Sequence, residues 1–277
     1  MTGQTGAVST QLAAPGGSWP RRRWRPRPPL NWALRLSLTV VGPVASVLYG
    51  LRFRHSERIP ATGGVLLVAN HVSVLDPLAC AMLVYDAGRV PRFLAKDGVF
   101  TGLAGTILRA AGQIPVSRGS ADARSSVGAA RQALEDGELV VIYPEGSVTR
   151  DPDWWPMQAR TGVARLALTT DAAVVPLAQW GPHRVHDYHA KQLRLRFRAP
   201  AEYLVGEPVD LSALRAQVRD GRPLTADLLR EVTDLLMARV RDQLGEVRGE
   251  QPPALVHPRP TRRTSGDLPG GPETGVA

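Results

Sequence analysis

Between residues 65 and 177, short apolar runs alternate with longer stretches of helical spacing, and this alternation restricts the possible folds more than any other feature of the chain. The runs are Val65–Ala69, Arg92–Ala95, Ile114–Val116, Leu139–Tyr143 and Val174–Leu177. Segments such as Ser120–Asp136 and Gln158–Thr170 carry the helical pattern between them. Neighbouring parallel strands need crossovers of about a dozen residues or more, usually helical. The pattern therefore predicts a single α/β domain with a largely parallel or mixed central sheet flanked by helices. Gln192–Arg198 alternates strictly, which predicts an edge strand with one wet, basic face. Leu228, Leu229, Val232, Leu235, Leu236, Val240 and Leu244 recur at helical spacing behind Thr225 and predict a closing amphipathic helix.

The ends have a different composition. Residues 1–27 hold five arginines (Arg21, Arg22, Arg23, Arg25, Arg27) and no acid, more than half of the chain's net charge of +9. The high pI thus belongs mainly to a tail, which argues against a broad nucleic-acid footprint on the folded part and for an arm that meets an anionic surface, lipid or nucleic acid. The expected organisation is a disordered basic tail over 1–27, a membrane-associated helical segment over 28–58, a folded domain over 59–247 and a disordered tail over 248–277.

Leu30–Leu51 is mostly apolar and carries no charge between Leu36 and Leu51, but Pro43 interrupts it. Spanning a bilayer takes about 20 apolar residues. The segment fits a helical hairpin or interfacial anchor on the cytoplasmic leaflet, with a buried core helix as the other reading. The single cysteine, Cys80, excludes an internal disulfide and a cysteine-based zinc site.

Three polar clusters follow three of the runs directly: Asn70-His71, Ser117-Arg118, and Pro144-Glu145-Gly146-Ser147. In open α/β sheets, ligands bind beyond the carboxyl ends of the strands, so one crevice can collect an imidazole, an arginine and a carboxylate. Asp76 lies five residues after His71, across an expected strand-to-helix turn. A carboxylate folded back onto the ring holds one nitrogen as N–H and leaves the other basic, as a general base for an alcohol requires. The same spacing also suits Asp76 as the cap of a helix starting at Pro77. Arg118 has the fork that grips a phosphate, or serves as a surface ion pair; Glu145 is a site carboxylate or merely a turn residue beside Gly146.

Taken together, Asn70-His71-x-x-x-x-Asp76, Gly112-Gln113-Ile114-Pro115-Val116-Ser117-Arg118, Tyr143-Pro144-Glu145-Gly146-Ser147 and Val175-Pro176-Leu177 resemble, in order, the four blocks of the glycerolipid acyltransferases, typified by 1-acylglycerol-3-phosphate acyltransferase. The resemblance covers about residues 60–180, within the 59–247 domain. It implies acyl transfer from acyl-CoA or acyl-carrier protein to the free hydroxyl of 1-acylglycerol 3-phosphate, making phosphatidate for phospholipid biosynthesis. His71 would be the base and Asp76 its orienting partner. Arg118 would bind the acceptor phosphate, and Glu145, Gly146 and Ser147 would shape the acceptor site. Lys96 falls where the family often places a lysine. The family commonly continues Glu-Gly-Ser/Thr with arginine, whereas here Val148 follows Ser147 and the arginine is Arg150. That departure leaves the acceptor open: glycerol 3-phosphate or another lysolipid would use the same machinery, and a thioesterase would use the same base on water. A non-catalytic membrane-binding protein is the reading from a different class.

No metal or cofactor is expected, because a thioester can be attacked without one. The expected partners are a membrane lipid surface, the lysophospholipid acceptor and the thioester donor, with no nucleic acid, at the cytoplasmic face of the cell membrane. Trp154-Trp155-Pro156-Met157 is an apolar patch for the membrane interface, an acyl groove or the core. His183, His186 and His189 are spaced three apart but follow Gly181-Pro182, which argues against a metal site. Gly63-Gly64 is a turn, since no Gly-Lys-Ser/Thr follows it.

Overall fold

The computed structural model describes residues 29–116 and 120–259, with the backbone alone for 120–125. The tail expected over 1–27, Arg118, and the end of the chain from residue 260 lie outside these residues. The described chain enters through helix α1 (Trp32–Leu48). Asn31 caps it, with Oδ1 accepting from the Leu34 amide at 2.9 Å while Nδ2 donates to the Ala110 carbonyl at 2.8 Å. The helix stops short of the expected apolar segment's end, because Tyr49–Arg54 forms a strand, β1. Residues 49–54 of the region read as a membrane-associated helical segment over 28–58 are thus part of the central sheet.

The chain continues through β2 (Val65–Ala69), α2 (Asp76–Asp86), β3 (Pro91–Lys96), α3 (Gly102–Ala110), β4 (Ile114–Val116), α4 (Ser120–Glu135), β5 (Leu139–Ile142), α5 (Gly162–Thr169) and β6 (Ala173–Trp180). Two short strands, β7 (His186–Asp187) and β8 (Gln192–Leu193), precede β9 (Ala199–Val205), α6 (Ser212–Arg219) and α7 (Ala226–Arg248). The main sheet has the order β1-β9-β6-β2-β5-β3-β4. Strands β2 to β6 are mutually parallel, β9 is antiparallel to β6, and β1 runs with β9. The sheet is therefore mixed, and its five parallel strands all end at one edge.

Every side chain of β2 is buried, and the pleat divides them between two cores. Leu66 and Val68 join Val140, Ile142 and residues of α4, α5 and α7; Val65, Leu67 and Ala69 join Val141, Val175, residues of α2, and Tyr49 and Tyr203 from the mixed edge. Helix α7 begins where expected, with Thr225 Oγ1 accepting from the Leu228 amide at 3.2 Å.

Two sequence expectations need correction. The alternating stretch Gln192–Arg198 is strand only over Gln192–Leu193, paired with β7 outside the main sheet. Leu195 and Phe197 remain exposed, and the Arg198 amide is drawn away to the Val47 carbonyl. The helix expected from Gln158 starts only at Gly162, because the amides of Met157, Gln158 and Arg160 are taken by Glu145, His257 and Pro144. Among the last of the described residues, the His257 carbonyl accepts from the Gln158 amide at 2.9 Å. Arg248, the last residue of α7, lies over the rings of Trp155 and Trp180, at 4.2 and 4.5 Å from their centroids.

Gly64, at the entrance to β2, is a sensitive point. A Cβ there would meet the Leu134 carbonyl oxygen at 2.2 Å, a contact with backbone that no side-chain rotation relieves. Gly64→Ala should destabilise the fold by about 1–3 kcal/mol, as overpacking does, measured by urea denaturation of the two proteins.

Candidate active site

The site begins where β2 ends. Beyond Ala69 the β2–β6 pairing is continued by side chains: Asn70 Oδ1 accepts from the Gln179 amide at 2.8 Å, Asn70 Nδ2 donates to the Gln179 carbonyl at 3.0 Å, and Gln179 Nε2 donates to the Asn70 carbonyl at 2.5 Å. Both residues are buried. This clasp fixes the backbone on which His71 stands. His71 is tied twice more through its main chain, its amide donating to Glu145 Oε1 at 2.9 Å and its carbonyl accepting from the Thr149 amide at 2.8 Å.

The ring is fixed as firmly. His71 Nδ1 lies 2.8 Å from Asp76 Oδ2, and the amides of Val72 and Ser73 donate to the same oxygen at 2.7 and 3.0 Å. Asp76 opens α2, yet its carboxylate turns back onto the loop that precedes it rather than forward into its own helix. The carboxylate thus binds the imidazole and the loop before α2, and the expectation that Asp76 caps the helix from Pro77 does not hold, since its side chain accepts from no amide of α2. Burial raises the pKa of Asp76, while the hydrogen bonds from His71, Ser73 and Val72 pull it down. A carboxylate oxygen that already accepts from two amides leaves Nδ1 to be the donor, so Nε2 carries the lone pair.

Tyr143 stacks on the imidazole, ring centroids 4.3 Å apart and planes 19° from parallel. Behind Asp76 lie Tyr49, Tyr203 and Cys80; burial pushes their pKa values, and that of Tyr143, upward, so they stay neutral. The product is an oriented base: one ring edge held, one face stacked, and Nε2 without a partner among the described residues. Such a group can take a proton from a hydroxyl presented at the carboxyl edge of the sheet.

The other expected residues fall into two groups. Glu145 does not face a substrate. It is buried, and while Oε1 holds His71, Oε2 accepts from the Met157 amide at 3.0 Å. It shapes the site by joining the loops after β2 and β5. Burial raises its pKa to about 8, against the pull of the Met157 and His71 amides. Gly146 sits at φ +75°, where a Cβ would meet Arg160 Nε at 2.7 Å. Ser147 Oγ donates to the Val148 carbonyl at 3.2 Å. Lys96, at the carboxyl end of β3, and Arg150 are both exposed.

Sequence reasoning missed the Asn70–Gln179 clasp and the Tyr143 stack; Tyr143 stood within a quoted block, whereas nothing marked Gln179. The tryptophan patch is mostly internal: Trp155 is buried, and Trp154 stacks against His183 and His189, at 4.8 and 3.9 Å. His189 Nε2 also lies 2.9 Å from the Thr149 carbonyl.

Asp76→Asn should lower kcat by about 10²–10⁴-fold, the range of general-base catalysis, because an amide can present its NH₂ to the ring and favour the wrong tautomer. The fold should survive, as circular dichroism can check. For Glu145, a folded pKa raised from 4.5 to about 8 means that its stabilisation is complete below about pH 4.5 and lost as pH rises to about 8. The Tm difference between the wild type and Glu145→Gln should therefore shrink across that interval.

Known proteins resemble this chain in sequence and in fold. Residues 50–180 match the Acyltransferase family. An uncharacterised protein of Mycobacterium leprae is 33% identical over 141 residues, 47% of this chain and 36% of the relative, so the chain spans little more than a third of that protein's length. A 1-acyl-sn-glycerol-3-phosphate acyltransferase of Bacillus subtilis is 24% identical over 169 residues, 60% of this chain and 77% of that one. The crystal structure of the 1-acyl-sn-glycerophosphate acyltransferase of Thermotoga maritima shares the fold, with a TM-score of 0.55 at 19% identity over 78% of this chain and 80% of that one. Over residues 50–180 the chain is thus similar to the Acyltransferase family, and in sequence to 1-acyl-sn-glycerol-3-phosphate acyltransferases.

Proposed function

We propose that this protein transfers an acyl chain from acyl-CoA or acyl-carrier protein to the free hydroxyl of 1-acylglycerol 3-phosphate, making phosphatidate. The observation that carries the reading is the His71–Asp76 contact of 2.8 Å with Nε2 left open. An alcohol is a poor nucleophile until a positioned base removes its proton. In this mechanism Nε2 takes the hydroxyl proton as the oxygen attacks the thioester carbonyl. The tetrahedral intermediate then collapses, the C–S bond breaks, and the imidazolium returns the proton to the departing thiolate. Asp76 stabilises the imidazolium in between. Lys96, Arg118 and Arg150 are the cations proposed to hold the acceptor.

The acceptor and product are lipids, and α1 supports work at a membrane surface. Trp32, Leu36, Val40, Val44 and Val47 are exposed at helical spacing, while Ala33 and Ala45 on the same helix are buried. Among the described residues no helix is long and apolar enough to cross a membrane. An amphipathic helix lying in the interface of the cytoplasmic leaflet, beside an arginine-rich arm, fits both facts.

The test is incubation of the protein, and of His71→Ala, with labelled acyl-CoA and lysophosphatidate while phosphatidate and free fatty acid are followed together. Phosphatidate from the wild type alone is the expected result; free acid alone would make the protein a thioesterase. Flotation with anionic vesicles should recover the protein, and Leu36→Asp with Val40→Asp should reduce the bound fraction several-fold.

A further inference from the structure

A group of three arginines outside the quoted motifs gathers beside the turn that carries Glu145. Arg160 is held there by its amide, which donates to the Pro144 carbonyl at 2.8 Å, and its guanidinium lies against Gly146. Gly146, at φ +75°, has no Cβ to exclude it. Arg230, from the first turns of α7, donates from Nη1 to the Ala159 carbonyl at 3.0 Å. Arg259 arrives from the end of the described chain, which is fastened two residues earlier by the Gln158 amide donating to the His257 carbonyl at 2.9 Å. Residues 158, 159 and 160 thus anchor or carry all three.

None of the three has a carboxylate partner among the described residues. Arg230 and Arg259 are partly buried, and the charges of Arg160 and Arg230 act on Arg259, whose pKa is lowered first by burial and then by these two neighbours. Bringing like charges together out of water costs free energy that an ordinary surface avoids by spacing them or interleaving acids. An anion placed among the three reverses the sign of that cost. The segment after Pro156 is committed to this geometry: its amides are spent on Glu145, His257 and Pro144, which delays α5 to Gly162 and leaves Arg160 projecting beside the turn.

We propose that Arg160, Arg230 and Arg259 form a binding site for a phosphomonoester beside the turn that carries Glu145 and Gly146. Choosing a phosphomonoester rests on the acyl-transfer reading, in which both the lysophosphatidate acceptor and the CoA donor carry one. Arginine forks suit this ligand, since guanidinium and phosphate pair through parallel charge-assisted hydrogen bonds.

The test uses the full chain with Arg160→Ala and Arg259→Ala, one removing an exposed side chain and the other a side chain of the C-terminal segment, so neither threatens the core. Calorimetric titration with inorganic phosphate should show an affinity about tenfold weaker in each variant, the effect of losing one charge-assisted hydrogen bond. This readout needs no turnover, so it stands even if acyl transfer is not observed. In the acyl-transfer assay, a raised KM for lysophosphatidate with an unchanged KM for acyl-CoA assigns the site to the acceptor, and the reverse assigns it to the donor. Wild-type phosphate affinity in both variants, with both KM values unmoved, would overturn the proposal.

Discussion

One carboxylate oxygen, Asp76 Oδ2, organises the centre of this protein. It receives His71 Nδ1 and the amides of Val72 and Ser73, so it shapes the turn between β2 and α2 and sets the tautomer of the base in a single interaction. Three donors on one buried oxygen offset much of the cost of removing a charge from water. The arrangement leaves little freedom to the ring, and Tyr143 removes more by stacking on it. Preorganisation of this kind means that the base need not be ordered again when a substrate arrives.

The sheet supplies the platform for that oxygen. Five parallel strands end at one edge, so the loops after β2 and β5 meet there although they are some 70 residues apart, as the His71 to Glu145 hydrogen bond records. Glu145 is then a structural fastener: buried, it ties two loops by their amides, and burial raises its pKa to about 8. On the other side of β2, Asn70 and Gln179 lock the loop to β6. Residues 181–190 close over this arrangement, with Ser73 Oγ donating to the His186 carbonyl at 3.0 Å and His189 reaching the Thr149 carbonyl. The base is thus held by contacts from β5, β6 and their loops as well as from its own segment.

Much of this was legible in the sequence where the signal is local. The apolar runs marked β2 to β6 because parallel strands covered on both faces must be apolar throughout, and the five-residue offset of His71 and Asp76 was enough to place a carboxylate on a ring. Signals that depend on a distant partner were not legible. Tyr49–Arg54 continues an apolar helix without a break and becomes a strand only because β9, some 150 residues later, offers its edge. Gln192–Arg198 has the alternation of a strand but finds a partner only for its first two residues. The inward turn of Glu145 was hidden too, since a carboxylate in a Pro-x-Gly turn reads the same whether it faces a ligand or two amides. At Asp76 the structure decides for the partner over the helix cap, because the oxygen that meets the ring spends its other bonds on the amides of the loop before α2.

The account depends on His71 holding its proton on Nδ1 and presenting a bare Nε2. NMR of the protein labelled with ¹⁵N-histidine, compared with His71→Ala to assign the signal, reads this directly. The expected spectrum above the ring's pKa has a protonated Nδ1 with a strongly deshielded proton, an unprotonated Nε2, and loss of that pattern in Asp76→Asn. A signal showing Nε2 protonated and Nδ1 bare in the wild type would contradict the assignment of His71 as the base.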